Sequence, residues 1–160
     1  RDFLIGPDYA RQAGMTLLPD PSVVELDGQR LLLMHGDSLC TDDVAYQTYR
    51  TQVRNPAYQA HFLAQPLAAR RAFIEQIRQK SEAAKREKAE EIMDVNAGAV
   101  ADVLRQHDFP ILIHGHTHRP AHHRLDVDGH ACERWVLSDW QDSAPYLAWN
   151  GITLEVGELR

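Results

Sequence analysis

A chain of 160 residues with 44% apolar and 25% charged residues can bury one substantial core, and its composition is not that of a disordered segment. Its formal net charge of −6 argues against broad electrostatic binding to nucleic acid, which needs a basic face. Two cysteines, Cys40 and Cys132, lack Cys-x-x-Cys spacing and fit a reducing compartment, and no run approaches the roughly 18 apolar residues of a membrane span.

The opening Arg1-Asp2-Phe3-Leu4-Ile5-Gly6 has neither Met nor a leader-like region and reads as the middle of a longer chain. Pro7 to Ala13 predicts a short helix with Pro in its first turn and Gly14 as its stop. Ser22–Leu26 and Arg30–Met34 alternate or run apolar about Asp27-Gly28, the signature of a tight β-hairpin. The second strand, Leu31-Leu32-Leu33-Met34, is apolar throughout, as a strand buried on both faces would be. It ends in His35-Gly36-Asp37.

From about Asp42 to Asp108 the patterning is helical, cut by Asn55-Pro56 and Gln65-Pro66 into at least three helices. Tyr46, Tyr49 and Val53, then Tyr58, Phe62 and Leu63, then Phe73, Ile74 and Ile77 give each an apolar stripe. The mostly charged stretch between Arg78 and Glu91 is either a solvated helix face or a cationic rim for an anionic substrate. Met93, Ala97, Val100 and Leu104 predict the buried face of a helix running to about Gln106. Ile111–Ile113 is a buried strand delivering the run His114-Gly115-His116-Thr117-His118-Arg119-Pro120. If the backbone stays extended there, residues 114, 116 and 118 point to one side. Hairpins about Asp128-Gly129 (His122–Val127 with Ala131–Leu137) and Asn150-Gly151 (Tyr146–Trp149 with Ile152–Val156) complete the chain.

Two strands thus end in histidine-glycine motifs. Converging, they would bring together three imidazoles, which suit zinc, manganese, iron or nickel; Asp2, Asp37, Asp139 and Asp142 offer carboxylates that spacing alone does not assign. The close-set Cys and His ligands of a structural zinc site are absent. Ser38 lies in no Gly-x-Ser-x-Gly turn, and Cys40 has no evident activating partner. His61, His107 and His130 carry no motif, and His122 and His123 sit in a predicted strand with structural roles.

The stretches 1–6, Leu33-Met34-His35-Gly36-Asp37-Ser38-Leu39-Cys40-Thr41-Asp42-Asp43, Ile92-Met93-Asp94-Val95-Asn96 and 112–120 together resemble the calcineurin-like metallophosphoesterases. Within them the match is closer to the group acting on UDP-2,3-diacylglucosamine in lipid A synthesis. Gly-His-Thr-His alone points only to the superfamily; the set of four covers essentially the whole chain. The resemblance implies an α/β fold, a metallophosphoesterase β-sandwich flanked by helices, as one domain over 1–160 with a helical insertion cap at 42–95. The family's Asp-x-His and Gly-Asp strands and the Gly-Asn of its third motif would precede Arg1, so the chain corresponds to the C-terminal two thirds of such an enzyme. Alone it would be short of ligands for a stable two-metal centre.

By the same resemblance His35 and His116 would bind one divalent ion and His118 a second, with manganese the expected metal. The implied reaction is hydrolysis of UDP-2,3-diacylglucosamine to 2,3-diacylglucosamine 1-phosphate and UMP. Arg1 stands where many relatives have an acidic histidine and would hold the phosphate, while Asp2 orients it or a neighbouring ligand. His114 would lie behind the ligands or in the core. Asp43, Tyr46, Ser81, Lys85 and Lys88, with Arg1 and His116, would contact substrate, and the cap's apolar stripes would hold its acyl chains. The resemblance further implies a cytoplasmic protein, peripheral on the inner membrane through residues such as Phe62, Leu63, Arg70 and Arg71, with no obligate protein partner and no nucleic acid. A phosphoesterase of nucleotide polyphosphates and a non-catalytic scaffold remain as alternatives. The long apolar cap favours the lipid, and retention of every family ligand in this span disfavours the scaffold.

Overall fold

The computed structural model describes residues 4–87 and 90–159, without the side chains of 80–91. Contacts divide the chain into two units, one of Arg1–Leu17 with Asp42–Met93, the other of Leu18–Thr41 with Asp94–Arg160.

The second unit is built on a mixed sheet. Strands β1 (Ser22–Leu26) and β2 (Gln29–Met34) form the predicted hairpin, with Asp27 and Gly28 both left-handed (φ 50° and 79°) as a primed two-residue turn requires. β2 pairs in parallel with β3 (Ile111–His114), which pairs in parallel with β5 (His130–Val136); β4 (Ala121–Val127) closes the far edge antiparallel to β5. The order is β1-β2-β3-β5-β4. Since β2 and β3 are apolar on both faces, each face needs a cover.

Helix α5 (Ala97–Gln106) supplies one cover: Val100, Val103 and Leu104 pack with Leu32, Leu112 and Val127. Ala97, expected on the buried face, is exposed, because Asn96 caps the helix through its side-chain oxygen on the Ala99 amide and Ala97 falls in the first turn; Val103 carries the stripe instead. The hairpin of β6 (Ala144–Trp149) and β7 (Leu154–Leu159) covers the other face, with Leu147, Trp149 and Leu154 against Leu31, Ile113 and Trp135. Its connection is four residues rather than the two expected, since the Asn150 side-chain oxygen takes the Ile152 and Thr153 amides and delays the second strand to Leu154. Leu104 is fully buried at the centre of the first cluster. Leu104→Ala should therefore lower the unfolding free energy by about 3 kcal/mol, read from urea melts.

The first unit is helical: α1 (Pro7–Gln12), α2 (Val44–Val53), α3 (Pro56–Ala64) and α4 (Leu67–Glu87). Asp43 caps α2 by accepting from the Tyr46 amide at 3.0 Å, and Asn55 caps α3 on the Ala57 and Tyr58 amides with Pro56 in the first turn. Phe62 and Phe73 join α3 to α4, ring centroids 5.7 Å apart. The core is thin here, and α3 has no buried residue.

Candidate metal centre

Both histidine loops leave adjacent parallel strands at their C-terminal ends, where sheets of this kind place their sites. β2 delivers His35, whose amide donates to the Asp20 side chain (3.2 Å). Gly36 follows at φ 100°, and Asp37 opens a short 3₁₀ turn, Asp37–Leu39, with its carboxylate buried 3.1 Å from Nδ1 of His35. β3 ends at His114. The Gly115 amide then donates to the His35 carbonyl (3.1 Å), tying the loops together, and the Leu137 amide donates to the His114 carbonyl (2.8 Å).

The extended run through 114, 116 and 118 is not what forms. The Thr117 amide turns back onto the Gly115 carbonyl (2.8 Å), and His116 and His118 take left-handed backbones, φ 66° and 53°. Two non-glycine residues held there in a single loop are the sort of strain that collects at functional sites. The turn brings the His116 ring to 5.0 Å from that of His35, centroid to centroid. His118, more exposed, sets Nδ1 3.3 Å from the Asp139 carboxylate. That carboxylate also accepts from the Gln141 side-chain amide (2.9 Å), which leads His118 in holding the Asp139 carboxyl below the usual range.

His114 takes no part in this open cluster. It is fully buried, its Nδ1 is 2.9 Å from the Gly115 carbonyl and its Nε2 is 3.0 Å from Arg134. A carbonyl only accepts and a guanidinium only donates, so the ring is the neutral Nδ1–H tautomer with both nitrogens engaged. Burial, above all, pushes its pKa down; the Gly115 carbonyl opposes this and the Arg134 charge reinforces it. The unfolded imidazole titrates near 6.5, so below that pH the unfolded chain gains a proton before the folded one does. The folded state keeps this contribution fully above about 6.5 and loses it as pH falls toward the depressed folded value, by up to about 1.4 kcal/mol per pH unit. Urea melts at pH 7.5 and 5.5 should show that loss, and His114→Asn should flatten it.

His118 leans one ring nitrogen on the Asp139 carboxylate, the arrangement that orients an imidazole ligand and leaves its other nitrogen for an ion, while the Asp37 carboxylate stands beside the His35 ring as a charge contact. Between His116 and His118 the Thr117 hydroxyl is buried with no hydrogen-bond partner, the kind of atom for which an ion or water is the usual explanation. Among the described residues no three His, Cys, Asp or Glu side chains close on a single point. The imidazoles present, with carboxylates beside them, fit a divalent ion as part of its coordination sphere.

Of the other predicted site residues, Asp43 is a buried helix cap and Tyr46 lies one turn along α2, its ring 6.4 Å from that of Tyr49. Arg1, Asp2 and Lys88 lie outside the described residues; Ser81 and Lys85 fall within α4, their side chains also outside them. Sequence reasoning named Asp37 and Asp139 without assigning them, and it missed Arg134 and the Asp94–Arg119 ion pair (3.1 Å).

No family model matches the chain. It is similar to proteins named UDP-2,3-diacylglucosamine hydrolase from several bacteria. That of Aromatoleum aromaticum is 59% identical over 151 residues, covering 94% of this chain and 62% of that protein. Those of Bordetella pertussis and Stenotrophomonas maltophilia strain R551-3 are 56% and 49% identical, covering 88% and 97% of this chain but 54% and 66% of theirs. The chain thus spans between about half and two thirds of the length of the relatives it matches.

Proposed function

We infer, from a chain that is a homologue of the UDP-2,3-diacylglucosamine hydrolases along nearly its whole length, that it contributes the two histidine loops of a metal-dependent pyrophosphate hydrolase in lipid A synthesis. The reaction is cleavage of UDP-2,3-diacylglucosamine by water to 2,3-diacylglucosamine 1-phosphate and UMP. The observation that carries the proposal is the pairing of His35 with His116 at 5.0 Å on two loops bonded to each other, with His118 backed by Asp139.

His35 and His116 would hold one divalent ion and His118 the other, manganese being the expected metal. Such ions, when bound, polarise the phosphoryl oxygens, lower the pKa of a water and neutralise charge on the leaving phosphate. Asp139 would keep the His118 ring oriented, Asp37 would place a negative charge beside His35, and the turn at Gly115–Thr117 sets the His116 ring near that of His35. Three imidazoles do not fill two coordination spheres, so each ion would need further ligands. Arg1 would bind phosphate as a fixed cation, Asp2 would orient it, and Asp43, Tyr46, Ser81, Lys85, Lys88 and His116 would contact the substrate.

The helical unit supports a lipid substrate. Tyr58, Phe62, Ala69 and Phe73 line a cavity of about 360 Å³ that also meets His61 and Arg70. Leu63, Leu67 and Phe73 are exposed near Arg70 and Arg71, a composition suited to a peripheral contact with an anionic bilayer on the cytoplasmic face. No helix among the described residues is long and apolar enough to cross a membrane.

The test, on a protein that carries the remaining metal ligands, is UMP release from UDP-2,3-diacylglucosamine with manganese and with chelator, against a diadenosine polyphosphate as competing substrate. Metal-dependent turnover of the lipid alone is expected; turnover of the polyphosphate alone would overturn the assignment. Co-sedimentation with phosphatidylglycerol-containing vesicles checks the membrane contact, and no pelleting at low salt would remove it.

A further inference from the structure

Arg134 is a cation in the wrong place for an ordinary surface residue. It lies on β5 with only 9% of its surface exposed, its Nε is buried without a hydrogen bond, and burial pushes its pKa down. A guanidinium so placed is expensive, and an apolar side chain would fill the site more cheaply. What it does there is donate to Nε2 of His114 at 3.0 Å.

His114 in turn is wedged between the two loops. Its Nδ1 faces the Gly115 carbonyl at the start of the His116 loop. Its ring packs so closely on the His35 loop that a Cβ on Gly36 would stand 2.7 Å from Nδ1 and 3.1 Å from Cβ and Cγ. Asp94 lies within electrostatic reach of Arg134 and pairs with Arg119, the residue following His118. The chain of contacts therefore touches His35, His116 and His118 through their immediate neighbours and none of them directly.

We propose that Arg134 is a positioning residue for the metal site: its hydrogen bond to Nε2 of His114 fixes that ring's rotation, and the ring sets the spacing between the loop carrying His35 and the loop carrying His116 and His118. The proposal rests on the metal-ligand assignment above only for its consequence in metal affinity; the coupling between the loops is a property of the metal-free protein. Removing a partner of this kind behind a ligand typically weakens metal binding 10- to 100-fold.

The experiment compares wild type with Arg134→Met, which loses the donor, Arg134→Lys, which keeps one, and His114→Asn, whose shorter side chain places no acceptor where Nε2 meets Arg134. Nitrogen-15 spectra of the metal-free imidazoles are recorded first, followed by manganese titration read from the electron paramagnetic resonance of the free ion. Arg134→Met and His114→Asn should both shift the His35 and His116 ring signals and weaken manganese binding by about 10- to 100-fold. Arg134→Lys should restore most of each, and the double variant should be no worse than either single one. Unmoved His35 and His116 signals in a folded Arg134→Met or His114→Asn protein would overturn the proposal. A wild type that binds no manganese even when it carries the remaining ligands would instead sink the metal assignment, leaving the imidazole spectra to decide the positioning role.

Discussion

In a protein that carries the remaining metal ligands, His116→Ala should reduce manganese-dependent release of UMP from UDP-2,3-diacylglucosamine by about a thousandfold, roughly 4 kcal/mol of transition-state stabilisation. The size follows from where the ring stands. His116 is half-buried, its backbone is left-handed, and its ring is 5.0 Å from that of His35, so no neighbouring histidine takes its place without rebuilding the loop. Alanine removes the imidazole but keeps the Cβ that a left-handed backbone disfavours, so the variant should fold with nearly wild-type stability while binding manganese more weakly. That combination separates loss of a ligand from loss of fold. His107→Gln, at the C-terminal end of α5 with no neighbour in the histidine cluster, is the control and should leave activity unchanged. Full activity in His116→Ala would remove His116 from the metal site.

The contrast between what local sequence shows and what it conceals is sharpest at these loops. Asp27-Gly28 and Asp128-Gly129 specify their turns because both positions need a positive φ, 50° and 79° in the first and 56° and 82° in the second, which these residues tolerate. Asn150-Gly151 has the same lettering, yet the Asn150 side chain captures two amides and lengthens the loop. Side-chain hydrogen bonding, absent from a pattern of letters, decided it. The run from His114 to His118 shows three imidazoles at alternate positions, but alternation holds only while the strand lasts, and β3 ends at His114. From there the Gly115–Thr117 turn and two left-handed histidines determine direction.

The partners were less legible still. Asp37 is two residues from His35 and could be suspected, whereas Asp139 is 21 residues beyond His118 and reaches it only through the fold. Arg134 meets His114 because β3 and β5 pair with Leu112 opposite Arg134 and His114 opposite Val136. That register is a property of the assembled sheet. The same holds for His122, whose ring stacks on Trp135 at 3.8 Å because β4 places the two opposite each other.

Gly36→Ala should destabilise the protein by roughly 3 kcal/mol. Two costs add. The residue sits at φ 100°, where an L side chain carries a penalty of about 1–2 kcal/mol. Its new Cβ would also stand 2.7 Å from Nδ1 of His114, an overlap of the kind that costs about 1–3 kcal/mol in a packed interior. A flexible neighbour would swing aside, but His114 is fully buried and hydrogen bonded through both ring nitrogens. The strain must therefore pass into the His35 loop or into Arg134, and manganese affinity should fall along with stability. Gly115→Ala is the matched control: its φ is not in the left-handed region and its Cβ would meet nothing nearer than the His35 carbonyl oxygen at 3.8 Å. It should leave stability unchanged or raise it by up to about 1 kcal/mol, as an unstrained glycine replacement does by narrowing the unfolded ensemble. Urea melts of the two variants compared side by side check the difference; equal stabilities would mean that His114 yields, and that it does not set the distance between the loops.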